Sequence, residues 1–160
     1  MSVESDKQEH KCIPDDSDAT TCTFVDVPSS FDLEYAMTNM NQNFTSIRRI
    51  NFEDCFLEHV PSNIFTLYPN VEYIDASGSS LMIFDLFKQK ADQLRVINAS
   101  ENHLESIVSQ RFSKLKNLES LDLSHNRIAR INPYTFVYSA EFKYLNMSYS
   151  QLTKSRSAAF

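Results

Sequence analysis

Apolar residues recur along the second half of the chain with a spacing that fits neither one helix nor one strand. In LESLDLSHNRIARINPYTF, residues 118–136, apolar side chains and one asparagine stand at positions 1, 4, 6, 9, 11, 14 and 19. The same spacing starts again at residues 47, 71, 94 and 142, so successive starts are 24, 23, 24 and 24 residues apart. Five copies in phase predict an array of similar structural units.

The spacing resembles that of leucine-rich repeat proteins, whose period is about 20–29 residues. Positions 4 and 6 alternate with positions 3, 5 and 7, which predicts a short strand with one face in the core and the other in solvent. The predicted fold is an α/β leucine-rich repeat solenoid with an N-terminal Cys cap. Its short parallel sheet lines the concave face, and loops or short helices form the convex face.

Position 9 is polar or small in every copy, which predicts a buried ladder that satisfies backbone groups of the loop after the strand. The ladder consists of Cys55, Ser79, Asn102, Asn126 and Ser150. Position 19 predicts a column of stacked rings, formed by Phe65, Phe112, Phe136 and Phe160. The second repeat has Gln89 there, so we expect a local irregularity within 84–93.

Three regions are predicted: a disordered polar leader (1–11), an N-terminal cap with an irregular first stretch (12–46), and five repeats of which the last is truncated (47–160). Cys12 and Cys22 bracket a polar loop, and the alternating CTFVDV predicts a strand that pairs with the first repeat. Because Cys55 already has a position in the ladder, we expect a Cys12–Cys22 disulfide. The alternative is that all three cysteines are reduced in the cytosol.

The chain stops in mid-repeat at Phe160, which predicts an open sheet edge. The expected explanations are a fragment of a longer protein, a partner that covers this end, or oligomerisation through it.

Composition and charge exclude several functions. The net charge of -6 argues against a nucleic-acid partner. The single glycine, Gly78, excludes the common phosphate-binding loops. No apolar run is long enough to span a membrane. The polar start shows no signal peptide, so either the protein is cytosolic or its leader is missing from this sequence.

We predict no catalytic, cofactor-binding or metal site. The histidines, His10, His59, His103 and His125, show no zinc-ligand spacing. Asp122, Ser124 and His125 suggest part of a catalytic triad, but LDLSHN is ordinary repeat sequence, and geometry rather than residue type makes a triad.

Three tripeptides match the N-glycosylation pattern, at Asn43, Asn98 and Asn146. Their occupation would make this a secreted glycoprotein; the alternative is that such a common pattern arises by chance.

The best predicted binding surface is the polar concave face at positions 3, 5 and 7, because tyrosines there suit protein contacts. The alternative is a merely solvated sheet with binding elsewhere. The candidates are Arg49, Asn51, Glu53, Tyr73, Asp75, Ser120, Asp122, Ser124, Tyr144 and Asn146.

The Cys-bounded cap, followed by IRRINFEDCFLEHVPSNIF, resembles secreted insect leucine-rich proteins, in particular the mosquito leucine-rich immune proteins that work with complement-like factors. The resemblance implies an extracellular, non-enzymatic module that binds a protein ligand or co-receptor in innate immunity. The Cys-rich region and coiled coil of those proteins are not in this sequence. A fragment of a transmembrane receptor ectodomain (Toll-like or adhesion) and an intracellular repeat scaffold are the alternatives.

Overall fold

The computed structural model describes residues 12–38, 44–61, 63–84, 86, 91–107, 112, 115–131, 134–136 and 139–152. Its strands are β1 (Ile13–Pro14), β2 (Thr21–Val25), β3 (Arg49–Glu53), β4 (Tyr73–Asp75), β5 (Val96–Asn98), β6 (Ser106–Ile107), β7 (Ser120–Asp122), β8 (Arg130–Ile131) and β9 (Tyr144–Asn146). Its helices are α1 (Ser30–Thr38) and α2 (Ile64–Leu67). The predicted leader 1–11, Asn43, Gln89 and Phe160 lie outside the described residues.

One sheet rises through the repeats in the order β1-β2-β3-β4-β5-β7-β9, and every neighbouring pair except β1–β2 is parallel. Equivalent positions lie side by side: Ile50 pairs with Ile74, Ile74 with Ile97, and Ile97 with Leu121. These four side chains are at most 1 % exposed, and burying each contributes about 1.5–3 kcal/mol. The predicted leucine-rich repeat solenoid is therefore confirmed.

The cap supplies a further strand in the same register. Cys22 in β2 lies opposite Ile50 in β3, as Ile50 lies opposite Ile74. The segment between β2 and β3 contains α1, a helix that the repeat spacing did not predict. Leu33 and Met37 of α1 are buried in the common core, so the irregular first stretch packs as part of the solenoid.

A disulfide joins Cys12 to Cys22, with their Cα atoms 5.4 Å apart, so the predicted pairing is confirmed. It holds β1 antiparallel to β2, with Pro14 opposite Cys22. The outer edge of β2 is thereby covered, which removes a site of unwanted strand pairing.

The ring column differs from its prediction in the second repeat. Phe84, at position 14 of that repeat, stacks on Phe112 with ring centroids 5.7 Å apart. Phe112 contacts Phe136 at 5.0 Å, and Phe136 stacks on Phe142 at 4.2 Å. In the second repeat, the ring that joins the column therefore comes from position 14 instead of position 19. The core accepts a ring of suitable volume from either position.

Candidate functional site

The concave face has a central row of Asn and Asp side chains that are linked in pairs across neighbouring strands. The row is position 5, namely Asn51, Asp75, Asn98, Asp122 and Asn146. The Asn98 amide donates to Asp75 Oδ2 at 3.2 Å, and the Asn146 amide donates to Asp122 Oδ2 at 3.0 Å. At the start of the row, the Asn51 amide donates to Thr23 Oγ1 at 3.5 Å. Asparagine and aspartate therefore alternate as donor and acceptor along the sheet.

Each of the last four members also holds the serine two residues later. The serine Oγ and amide N–H both donate to Oδ1 of Asp75, Asn98, Asp122 or Asn146, over 2.6–3.1 Å. These bonds fix the side chains of two rows in one arrangement. A polar surface ordered in advance loses little conformational entropy when it binds a partner.

The same bonds set the charge of Asp122. Burial alone would raise the pKa of this carboxyl, but hydrogen bonds from Ser124 and Asn146, together with nearby His125, hold the pKa below its usual value. Asp122 is consequently a carboxylate at neutral pH. Asp122 and Asp75 give the centre of the concave face a negative character.

A mixed cluster occupies the cap end of this face. The Arg49 guanidinium carbon lies 3.8 Å from the centroid of the Tyr73 ring, which is a cation–π geometry. The Tyr73 hydroxyl donates to Asp75 Oδ2 at 3.4 Å. Burial, followed by the charge of Asp75, raises the pKa of Tyr73, so its hydroxyl stays protonated. Arginine and tyrosine are the residues that most often anchor protein–protein contacts.

Of the remaining candidates, Tyr144 is exposed at the far end of the face, in β9. Glu53 is exposed at the end of β3, and Ser120 is half-buried in β7, the last strand but one of the sheet. The structure therefore brings Arg49, Tyr73 and Asp75 together and leaves Tyr144 at the opposite end of the sheet.

The turn that follows each strand has a common backbone conformation. Position 8 has a φ between 51° and 62° in six successive turns, at Asp26, Asp54, Gly78, Glu101, His125 and Tyr149. Two of these residues stack in solvent: the His125 and Tyr149 rings lie 4.4 Å apart at 17°. The pair was not predicted from the sequence, although two ring-bearing residues at position 8 of adjacent repeats are a visible signal for it.

The position-9 ladder supports the face from behind. Asn126 Oδ1 accepts from the Leu104 amide at 3.0 Å, and its side-chain amide donates to the carbonyls of Ala99 and Leu123. In the same way, Asn102 Oδ1 accepts from the Leu81 amide at 2.8 Å, and the Asn102 side-chain amide donates to the carbonyls of Ala76 and Ala99. Ser150, in contrast, has a buried Oγ without a hydrogen-bond partner among the described residues.

A second ladder, of charges, runs along position 2. Arg48 pairs with Glu72 at 3.6 Å, and Glu119 pairs with both Arg95 and Lys143, at 2.9 and 3.0 Å. The hydrogen bond from Lys143, followed by the charge of Arg95, lowers the pKa of Glu119. The alternation of sign could have been read from position 2 of the aligned repeats. Exposed pairs contribute only about 0–1 kcal/mol each.

Two of the three sequons lie on the sheet. Asn98 is in β5 and Asn146 is in β9, and the amide nitrogen that would carry a glycan donates to an Asp in each case. Asn43 lies outside the described residues.

The possible triad residues do not form a relay. Ser124 Oγ donates to Asp122 Oδ1 at 2.6 Å, while the His125 ring stacks on Tyr149. Within the described residues, no group of three His, Cys, Asp or Glu side chains could hold a metal ion. No helix in that part of the chain is both long and apolar enough to cross a membrane.

Comparison with known proteins places these features in a class. The leucine-rich repeat family model matches residues 92–152. The horse Toll-like receptor 2 is 30 % identical over 109 residues, which cover 64 % of this chain and 14 % of the receptor. The human Toll-like receptor 3 is 30 % identical over 89 residues, covering 52 % of this chain and 10 % of the receptor. A PHLPP-like protein phosphatase of Drosophila melanogaster is 33 % identical over 89 residues, covering 56 % of this chain and 9 % of that protein.

Solved structures show the same fold. The Drosophila Toll–Spatzle complex in its glycosylated form matches with a TM-score of 0.57 and 21 % identity, over 66 % of this chain and 17 % of that one. The TLR13–ssRNA13 complex matches with a TM-score of 0.54 and 14 % identity, over 84 % of this chain and 29 % of that one. A secreted internalin-like protein of Listeria monocytogenes matches with a TM-score of 0.52 and 19 % identity, over 81 % of this chain and 52 % of that one.

The chain thus has the leucine-rich repeat fold, and residues 92–152 match the leucine-rich repeat family. Within that class, its sequence and its fold resemble those of Toll-like receptors. The chain spans only about a tenth of the length of the relatives named above.

Proposed function

We propose that this protein is a non-enzymatic recognition module that works outside the cell and binds a protein ligand or co-receptor in innate immunity, in the manner of secreted insect leucine-rich proteins. The observation that carries the proposal is the ordered polar surface of the concave face, with exposed Arg49 stacked on half-buried Tyr73 at its cap end. The Cys12–Cys22 disulfide supports an oxidising compartment.

A protein is a better ligand for this face than a nucleic acid. The solved TLR13 complex contains a single-stranded RNA. Here, Asp75 and Asp122 stand in the centre of the concave face, and the chain has a net charge of -6. Phosphate backbones are bound by clusters of lysine and arginine, so this face would repel them.

The second candidate is a fragment of a transmembrane receptor ectodomain. The similarity to two Toll-like receptors favours it. Both candidates use the same concave face for protein binding, and they differ in what the parent polypeptide carries beyond this sequence. The third candidate is an intracellular repeat scaffold, which the disulfide opposes.

Non-reducing peptide mapping of protein from its native source tests the compartment. We expect a Cys12–Cys22 bridge and glycans on one or more of Asn43, Asn98 and Asn146. Free thiols together with three unmodified asparagines would contradict an extracellular role.

Cross-linking in native extracellular fluid, followed by mass spectrometry, tests the binding face. The bait is the full chain, compared with a double variant, Arg49→Ala with Tyr73→Ala. We expect the double variant to capture at least about tenfold less ligand than the unaltered chain, since two anchoring side chains are removed. Tyr134→Ala, an exposed tyrosine outside the concave positions, is the control. Equal capture by all three proteins would show that the ligand binds elsewhere.

A further inference from the structure

Five large apolar side chains are exposed together beside the cap, away from the concave positions. We call them the cap-side patch. Between 49 and 73 % of each side chain is exposed, although all are large and apolar or aromatic. Its members are Phe31, Tyr35, Phe56, Met82 and Ile83.

Hydrogen bonds place the segments that carry the patch next to one another. Ser30, next to Phe31, donates from its Oγ to the His59 carbonyl at 2.8 Å. The Glu58 carbonyl accepts from the amides of Met82 and Ile83 at 3.0 and 3.1 Å. Phe31 therefore lies on one side of the segment 58–59, and Met82 and Ile83 lie on the other.

Phe56 and Tyr35 extend the same surface. Phe56 precedes Glu58 by two residues, and its amide donates to the Val27 carbonyl at 2.8 Å. Tyr35 follows Phe31 by four residues in α1, so both side chains lie on one face of that helix.

The patch is additional to the core rather than an unfilled part of it. Leu33 and Met37 occupy the buried face of α1, and Leu57 and Leu81 are fully buried between the patch residues. Side chains exposed in this way contribute little to folding. Contiguous exposed apolar surface usually marks an interaction site.

The charges around the patch are negative. The segments that carry it, 30–37, 54–59 and 81–84, contain four acidic residues and no lysine or arginine. These acids are Asp32, Glu34, Asp54 and Glu58. Backbone hydrogen bonds, including one from Ser30, lower the pKa of Glu58. His59, the remaining basic group, has its Nε2 3.3 Å from Glu34 Oε1.

We propose that the cap-side patch binds a basic amphipathic segment of a partner protein. The apolar side chains of that segment would cover Phe31 and Met82, and its lysines and arginines would face the acidic rim. Complementary charge of this kind steers association and selects the partner. The proposal concerns a second surface and stands whether or not the concave face binds a ligand.

Two other occupants fit less well. A bilayer with anionic lipids would repel the acidic rim, because membrane-binding surfaces are typically basic. A second copy of the chain would bring two identical acidic rims together, at an unfavourable electrostatic cost.

The test measures binding of a synthetic peptide with leucine and phenylalanine on one helical face and lysine on the other. Two peptides serve as controls: one with glutamate in place of every lysine, and one of the same composition in shuffled order. Fluorescence anisotropy with the full chain is read at low and at physiological salt. We expect the lysine peptide to bind at least about tenfold more tightly than either control, and more weakly as salt rises.

Variants locate the site. Phe31→Ala with Met82→Ala should weaken binding of the lysine peptide at least about tenfold, since exposed apolar anchors are lost. Tyr134→Ala is the matched control, because Tyr134 is 72 % exposed and Phe31 is 73 % exposed. It should bind like the unaltered chain. Circular dichroism of each variant checks that the fold is retained.

Several results would overturn the proposal. One is equal affinity for the lysine and glutamate peptides, and another is an affinity that the double variant does not change. Sedimentation with anionic vesicles that is lost in the double variant would assign the patch to a membrane. Concentration-dependent dimerisation lost in that variant would assign it to a second copy.

Discussion

The third and fourth repeats differ from the first two in how they satisfy the same buried loop. In the later pair, Asn102 and Asn126 accept the amides of Leu81 and Leu104 with their side-chain oxygens. In the earlier pair, the Leu57 amide donates instead to the backbone carbonyl of Ser79, at 2.7 Å. The comparison shows that the fold requires an acceptor at this place, and that a side chain or the main chain can supply it.

The cap and first two repeats gain their order from other contacts. Cys55 donates from Sγ to the carbonyls of Phe24 and Glu53, which are weak bonds. Around it, the Phe24 ring stacks on Phe52 at 5.5 Å and meets Tyr68 edge-on at 6.2 Å. Burial raises the pKa of Tyr68 to about 12. The cap half is therefore held by aromatic packing and a disulfide, whereas the later half adds a buried polar ladder to its own ring column.

The largest effect is expected from Asn126→Ala. The change removes the acceptor of the Leu104 amide and leaves the carbonyls of Ala99 and Leu123 without their side-chain donor. We expect a loss of about 3 kcal/mol in the free energy of unfolding, measured in urea. Cys55→Ala, the matched change in the first repeat, should cost only about 1 kcal/mol. Equal losses would abolish the distinction between the two halves.

The repeat period in the sequence was enough to predict the fold class and the pairing of equivalent strand positions. Position 4 pairs in register along the sheet, and the fold class follows from that alone. The repeat period did not predict α1, because residues 30–38 lie outside the regular spacing. It also did not predict that Phe84 joins the ring column, because core packing depends on side-chain volume rather than on repeat position.

The candidate surfaces were predicted less completely. The concave positions could be listed from alternation, but the bond from the Asn98 amide to Asp75 depends on side-chain rotamers, which the repeat period does not specify. The cap-side patch was missed because Phe31, Phe56 and Met82 come from three different segments, and only the fold brings them together.

A smaller effect, confined to the cap half, is expected on reduction of the Cys12–Cys22 disulfide. A loop with the sequence separation of 10 found here contributes about 2.7 kcal/mol in the chain-entropy description. Hydrogen exchange should accelerate in β1 and β2, while the amides of β5 and β7 keep their protection. Uniform acceleration throughout the sheet would mean that the two halves unfold as one unit. Cys55 is buried, so it provides an internal check that the reductant has not unfolded the protein.

A still smaller effect is expected at position 8, where both halves share one backbone conformation. Gly78 has a φ of +62°, and an added Cβ would meet nothing within 4 Å. Gly78→Ala should therefore cost about 1 kcal/mol from backbone strain alone. Glu101→Gly, in the later half, relieves the same strain but gives the unfolded chain more freedom, so its net change should be less than about 1 kcal/mol. Thermal unfolding of both variants measures the difference; a Gly78→Ala protein as stable as the unaltered chain would rule out strain at this turn.

The smallest effect is expected from Asp18, which lies in the exposed loop closed by the disulfide. Hydrogen bonds from the Thr20 hydroxyl, the Thr21 hydroxyl and the Thr20 amide lower its pKa from 3.8 to about 2. Because the folded pKa lies below the unfolded one, this carboxylate stabilises the cap fully above about pH 4, and its contribution is lost as the pH falls through about 2. Asp18→Asn should therefore be less stable than the unaltered chain at pH 7, and the difference should vanish below about pH 2. Carboxyl titration by NMR measures the pKa directly, with Asp122 of the later half as the reference for a carboxylate held by a serine. An ordinary pKa for Asp18, or a difference between the two proteins that persists at low pH, would mean that the threonine bonds do not order this loop in solution.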